Sequence, residues 1–217
     1  MRPSEARRPH EVAALLPLRG NTKWSESMKK LITMNVFLRS LVLWLAFMLI
    51  LWSVFAFGWA THPQAWNRGI DVQQETGWPV FWFIIGRNLL LLLLIAAGNI
   101  FVRFGGFTPG LVILFYQALA IGWTAGTNGF MEPFPTVAAA NAAFLRIGLW
   151  ETTAYVLVCA ATLPKSLLVA ADFPAKAWTE TRRITDLRFD PGERLVLGAG
   201  GLSLLFAALS EAFLLLA

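Results

Sequence analysis

The chain has one cysteine, Cys159, and two histidines, His10 and His62. A lone cysteine allows neither a disulfide framework nor a cysteine metal cluster within one chain. The histidines fall outside every long apolar run, so a histidine metal site or proton relay has nothing to build on. Intramembrane serine catalysis needs a nucleophile with an activating base, and no apolar run holds a histidine to serve as one. The H-E-x-x-H metalloprotease pattern is absent, and no aspartate lies in an apolar run, which removes a paired-aspartate mechanism. Glu151 and Glu211 remain as a formal acid/base pair, each with an arginine nearby to neutralise it. No enzyme and no cofactor are therefore expected.

Charge is also scarce. Charged residues make up 14% of the chain and hydrophobic ones 57%, against roughly a quarter and just under half in soluble domains. The apolar excess gathers in runs of about 20 residues, the length that crosses a bilayer core as a helix. The composition implies an all-α, polytopic transmembrane helix bundle of five spans, near residues 40–60, 78–102, 107–126, 138–163 and 195–217. Ten tryptophans, among them Trp44, Trp59, Trp78 and Trp178, suit an interfacial aromatic belt. Residues 78–86 admit two readings: the outer part of a continuous span, or an interfacial piece that turns at Gly86.

Outside the spans, residues 1–30 read as a basic, partly disordered tail ahead of a membrane domain over residues 31–217. They lack the short apolar core and small-residue cleavage site of a signal peptide. The helical pattern starts near Ser25, a suitable N-cap. Residues 103–106 form a tight turn. Residues 165–184 are expected to form an amphipathic helix, followed by a turn at Asp190-Pro191-Gly192.

Of eighteen Lys and Arg, eight lie up to Arg39, Arg103 adds one and residues 165–194 add six. Five spans put all fifteen on one side, with Arg68 opposite. By the positive-inside rule the N-terminus is inside, the C-terminus outside, and the localisation is the cell inner or plasma membrane. The net charge of +5 thus tracks topology and attraction to anionic lipid; nucleic acid is not an expected partner.

The two remaining cations, Arg87 and Arg146, lie inside apolar runs, as do Glu151 and Glu211. A charge at the bilayer centre costs about 2.5–3.5 kcal/mol on insertion scales and is nearly always paired or in a polar cavity. Matching depths suggest an Arg146–Glu211 bridge between spans four and five, with Arg87 and Glu151 completing a neutral buried polar cluster. Such a cluster either lines a path or fixes helix register, with Arg87 snorkelling to the headgroups. Asn88, Asn99, Gln117, Asn141, Thr152 and Thr153 are candidates to extend it by hydrogen bonds. Gly122 and Gly126 form a small-xxx-small pair for close helix packing.

Between Phe83 and Ser166 the succession Gly86-Arg87-Asn88-Leu89, Gly98, Phe107-Thr-Pro-Gly110, the Gly122/Gly126 helix and Gly148-Leu-Trp-Glu151-Thr-Thr-Ala154 resembles the stage II sporulation protein M family. The resemblance covers about 85 residues and carries over to Asn88, Gly122, Gly126 and Glu151. It implies a membrane protein without a catalytic centre, associated in endospore formers with cell-wall hydrolase machinery. Relatives in other bacteria and archaea often occur beside membrane transport genes. Arg87, Arg146 and the basic tail have no counterpart in that pattern. The expected function is a non-enzymatic scaffold or complex subunit, whose partners are membrane lipid and other membrane proteins or a second copy of itself. The alternative is a transporter or channel subunit with the charged cluster along its path.

Overall fold

The computed structural model describes residues 22–67, 76–130 and 133–214. Five helices in it are long and apolar enough to cross a membrane: α2 (Val36–Thr61), α3 (Trp78–Ile100), α4 (Pro109–Gly126), α5 (Val137–Lys165) and α6 (Pro191–Phe213). A shorter helix, α1 (Thr22–Thr33), precedes them and starts ahead of Ser25. Residues 1–21, which include most of the basic tail, lie outside the described residues. Helix α3 is unbroken from Trp78, so residues 78–86 belong to the span and Gly86 makes no turn.

The surface of the bundle confirms its solvent. Leu49, Phe83 and Leu202 are 71%, 70% and 69% exposed, an arrangement water would oppose and lipid does not. The core between the helices is correspondingly small-grained: Ala118, Ala154, Ala160 and Ala161 are fully buried beside Phe47, Ile95, Leu114 and Val156. Lipid tails are as apolar as leucine, so helices associate through packing and hydrogen bonds rather than through escape from water.

Helix starts follow the local chemistry. Asn35, Thr108, Thr136 and Asp190 each accept a backbone N–H of the first turn of α2, α4, α5 and α6, the usual remedy for unpartnered N–H groups there. Pro109 and Pro191 open α4 and α6, where a missing N–H costs nothing.

One end of the bundle, the basic end, carries most of the Lys and Arg among the described residues. Here three short strands, β1 (Val102–Phe104), β2 (Leu168–Ala170) and β3 (Thr179–Glu180), form a small sheet, β1 parallel to β2 and β2 antiparallel to β3. The amphipathic helix expected over residues 165–184 does not form. Pro174 lies inside that segment and cannot sit in a helix interior without loss of a hydrogen bond. The unused groups at the end of α3 provide an alternative: Leu167 N–H donates to Ile100 O and Gly105 N–H to Ala170 O. The connection expected as a bare turn at residues 103–106 is thus a strand followed by a turn at Gly105-Gly106.

Helix α4 lies against α2 through glycine. A Cβ on Gly122 would overlap the Leu51 carbonyl oxygen, and one on Gly126 the Phe55 carbonyl oxygen, while Gly58 of α2 faces Gly126 in turn. The small-xxx-small reading therefore holds. A second close approach joins α3 and α4, where Gly98 meets Gly110 and a Cβ on Gly110 would overlap the Ile95 carbonyl oxygen. Backbone oxygens cannot move aside as flexible side chains can. Gly110→Ala should destabilise the bundle by about 1–3 kcal/mol, the scale of overpacking, whereas Gly86→Ala, with open space at its Cβ position, should be neutral or slightly stabilising. Thermal unfolding of the two variants in one detergent measures the difference, and equal midpoints would refute the packing account.

Candidate functional site

Polar side chains inside the bundle gather at three depths. The middle group sits near the bilayer centre. Asn88 is ten residues into α3, about 15 Å at the helical rise, and Glu151 lies fourteen residues from either end of α5. The Asn88 amide Nδ2 donates to Glu151 Oε1, and the Tyr155 hydroxyl donates to Asn88 Oδ1 at 2.8 Å. Asn88 and Tyr155 are buried and Glu151 is half-buried. Near them Trp44 Nε1 donates to Thr153 Oγ1 at 3.1 Å, joining α2 to α5. Thr152 bonds only to its own helix, at Gly148 O, while Gln117 and Asn141 are half-buried and stand outside these chains.

The expected Arg146–Glu211 bridge is absent. Arg146 and Arg87 are both exposed on the bundle surface, and the ion pairs among the described residues lie elsewhere. Residue counting matched the depths of Arg146 and Glu211 but not their directions around the helix axes. Both sit in π turns, Phe144–Gly148 in α5 and Ser210–Leu214 in α6, and these two turns pack against each other. A π turn holds an extra residue and rotates the rest of its helix by about 100° relative to a regular one. In α5 the turn leaves Ile147 facing inward and Arg146 outward. Arg87, Glu151 and Glu211 do lie within electrostatic reach of one another, so three of the four expected charges share a neighbourhood without closing an ion pair.

A second group, nearer the basic end, centres on Asn99, which is fully buried. Its Nδ2 donates to Thr162 Oγ1 at 2.9 Å and to Cys159 O at 3.2 Å on α5. Its Oδ1 accepts from the Thr108 hydroxyl at 2.5 Å, and its backbone oxygen accepts from the Ser166 hydroxyl at 2.8 Å. One side chain thereby ties α3, the cap of α4 and α5.

The third group lies at the basic end and was not anticipated as a cluster. Arg39 and Glu193 are 2% and 3% exposed. Arg39 Nε donates to Ala160 O at 2.7 Å and Nη1 to Ile32 O and Met34 O at 2.9 and 3.0 Å, while Nη2 stands 3.8 Å from Glu193 Oε1. Lys165 Nζ meets Glu193 Oε2 at 2.5 Å, and the same oxygen accepts the Asp190 N–H to complete a capping box. The sequence counted Arg39 and Lys165 only as markers of topology. The overlooked signals were the Asp190-Pro191-Gly192-Glu193 capping pattern and an arginine in the first turn of an apolar helix. Beside this group, burial and then the like charge of Arg182 lower the pKa of Arg103 from its ordinary value.

The class defined by this architecture is an integral, multi-pass membrane protein of five spans. Comparison of the chain with family models, curated proteins and solved structures finds no match.

Removing one partner from a buried ion pair leaves the other charge stranded, at a cost of about 3–5 kcal/mol. Glu193→Ala should fall at the low end of that range because Arg39 keeps its three carbonyl acceptors. Glu180→Ala, which breaks an exposed pair with Arg183, should change the thermal midpoint little. Equal shifts for the two variants would contradict the buried cluster.

Proposed function

We propose that the chain is a non-enzymatic subunit of a membrane complex, a helix-bundle scaffold of the inner or plasma membrane with its basic end in the cytoplasm. The observation that carries the reading is the outward aim of Arg87 and Arg146. Each lies nine residues, about 13 Å of helix, from the start of its span and is exposed in the single chain. A guanidinium at such depth almost always meets protein or a water-filled cavity rather than lipid tails. A second membrane chain that supplies acceptors, either another protein or another copy, accounts for both arginines. The resemblance to the stage II sporulation protein M family supports the same class of role and suggests cell-wall hydrolase machinery or transporter components as partners. Asn88 and Glu151, two of the residues that carry that resemblance, serve here to join α3 to α5.

A second reading, transport, is favoured by the Asn88–Glu151–Tyr155 chain at mid-depth beside two π turns, since such turns occur often at functional sites. Three substitutions separate the readings. Arg146→Leu should keep or raise the thermal midpoint while abolishing co-purification of the partner chain in mild detergent. Unchanged partner recovery in both Arg146→Leu and Arg87→Leu would refute the scaffold reading. Glu151→Gln retains a hydrogen-bond acceptor but loses the charge; abolished ion flux in reconstituted vesicles with partner recovery intact would transfer the assignment to transport.

A further inference from the structure

The basic end contains a cavity of about 420 Å³ whose lining includes Phe37, Arg39, Lys165, Arg182, Gly192 and Glu193. Its position is set by the ends of three spans: α2 begins at Val36, α5 finishes at Lys165 and α6 begins at Pro191. The cavity therefore lies where hydrocarbon gives way to headgroups.

Its hydrogen-bonding capacity is unbalanced. The cations Arg39, Lys165 and Arg182 outnumber the carboxylates Asp190 and Glu193 in the lining, and one oxygen of each carboxylate is occupied: Glu193 Oε2 accepts from Lys165 and from the Asp190 N–H, and Asp190 Oδ1 accepts from the Glu193 N–H. Donors are left over. Arg39 Nη2, on a side chain 3% exposed, has only the Glu193 oxygen at 3.8 Å, too far for a hydrogen bond. No fully buried side-chain nitrogen or oxygen among the described residues lacks a partner, so this Nη2 is not fully buried, and Arg39 is one of the residues that line the cavity. Arg182 uses one N–H, to Pro164 O at 3.1 Å, and keeps others free. Gly192, in the first turn of α6, and Phe37, in the first turn of α2, add N–H groups with no acceptor in their own helices. Arg103 next to Arg182 adds like charge. Phe37, 55% exposed, gives the mouth an apolar side.

We propose that this cavity binds the phosphate of an anionic phospholipid, with Arg39, Lys165 and Arg182 around the phosphate and the acyl chains leaving along the Phe37 side into the leaflet at the basic end. A phosphate oxygen supplies the acceptors that Nη2 and the free Arg182 N–H groups lack, and charge-assisted contacts of this kind are the strong ones. The site requires no partner chain and is independent of the scaffold assignment.

The test uses the full chain purified in a neutral detergent and exposed to equal amounts of phosphatidylglycerol and phosphatidylcholine, with bound lipid read by native mass spectrometry. One phosphatidylglycerol should be retained in preference to phosphatidylcholine. Arg182→Gln, which keeps an amide donor for Pro164 O, should weaken that retention about tenfold, the scale of one charge-assisted hydrogen bond. Arg183→Gln should leave it unchanged, because Arg183 is an exposed neighbour paired with Glu180. Equal retention of the two lipids, or equal losses in the two variants, would overturn the proposal and reduce the effect to diffuse surface charge. If millimolar inorganic phosphate displaces the lipid and raises the thermal midpoint as much as phosphatidylglycerol does, the ligand is a soluble anion and the lipid assignment fails. Should Arg182→Gln not fold, the lipid competition and the phosphate arm on the unsubstituted chain decide the matter.

Discussion

Asn99 occupies a place where no water can substitute for a missing partner, and much of the bundle is arranged around that fact. Asn99 is fully buried, and an unpaired buried amide costs several kcal/mol, so its position dictates those of its neighbours. Thr108 must cap α4 within reach of Oδ1, and Thr162 must lie opposite Nδ2 on α5. Gly98 and Gly110 allow α3 and α4 to come close enough for these bonds. The Ser166 hydroxyl on the Asn99 carbonyl oxygen then fixes where the chain leaves α5. From there Leu167 and Leu168 donate to Ile100 and Phe101 at the end of α3, and the small sheet forms beside them. Polar satisfaction, rather than apolar burial, gives this bundle its register.

The same constraint has a different solution at the basic end. Arg39 is buried where α2 begins, and the carbonyl oxygens of Ile32, Met34 and Ala160 surround it. Those contacts connect the end of α1 and the last turns of α5 to α2. Glu193 then serves two helices at once, as the capping partner of α6 and as the counter-ion for Lys165 at the end of α5. Charges that the sequence offers as topology signals thereby also hold the finished fold together. The exposed pair Arg183–Glu180 shows the contrast: it lies on the surface, joins residues three apart in sequence, and connects nothing distant.

How much of this was legible in the sequence depended on whether a feature is one-dimensional. Span positions are a matter of running hydropathy, and all five were located to within a few residues. The Gly122/Gly126 spacing is also a local pattern, and its meaning carried through to the packing of α4 on α2. Asn88 and Asn99 were recognisable as polar residues in apolar helices that would need partners. Direction around a helix was not legible, because the π turns at residues 144–148 and 210–214 shift the phase that a regular helix would keep. Arg146 consequently faces outward although its depth matches that of Glu211. Residues 165–184 misled for another reason: their charge and mixed polarity suggest an amphipathic helix, but the open backbone at the end of α3 offers strand pairing that Pro174 permits and a helix does not.

The bundle separates its two uses of polarity by position. Asn99 and Arg39 have carbonyl or hydroxyl partners on neighbouring helices, and their surroundings fix geometry. The half of the membrane away from the basic end is less settled: Glu151 has one amide donor, Glu211 is half-buried in a π turn, and Arg87 lies near both on the bundle surface without closing an ion pair. Structural pairing alone would have brought that guanidinium into contact, since a charge stranded in lipid has everything to gain from doing so. Leaving it on the surface is sensible if its partner comes from outside the chain. The proposed subunit role accounts for an arginine held back from the internal carboxylates and turned toward lipid, because an interface would then complete the electrostatics that the monomer leaves open.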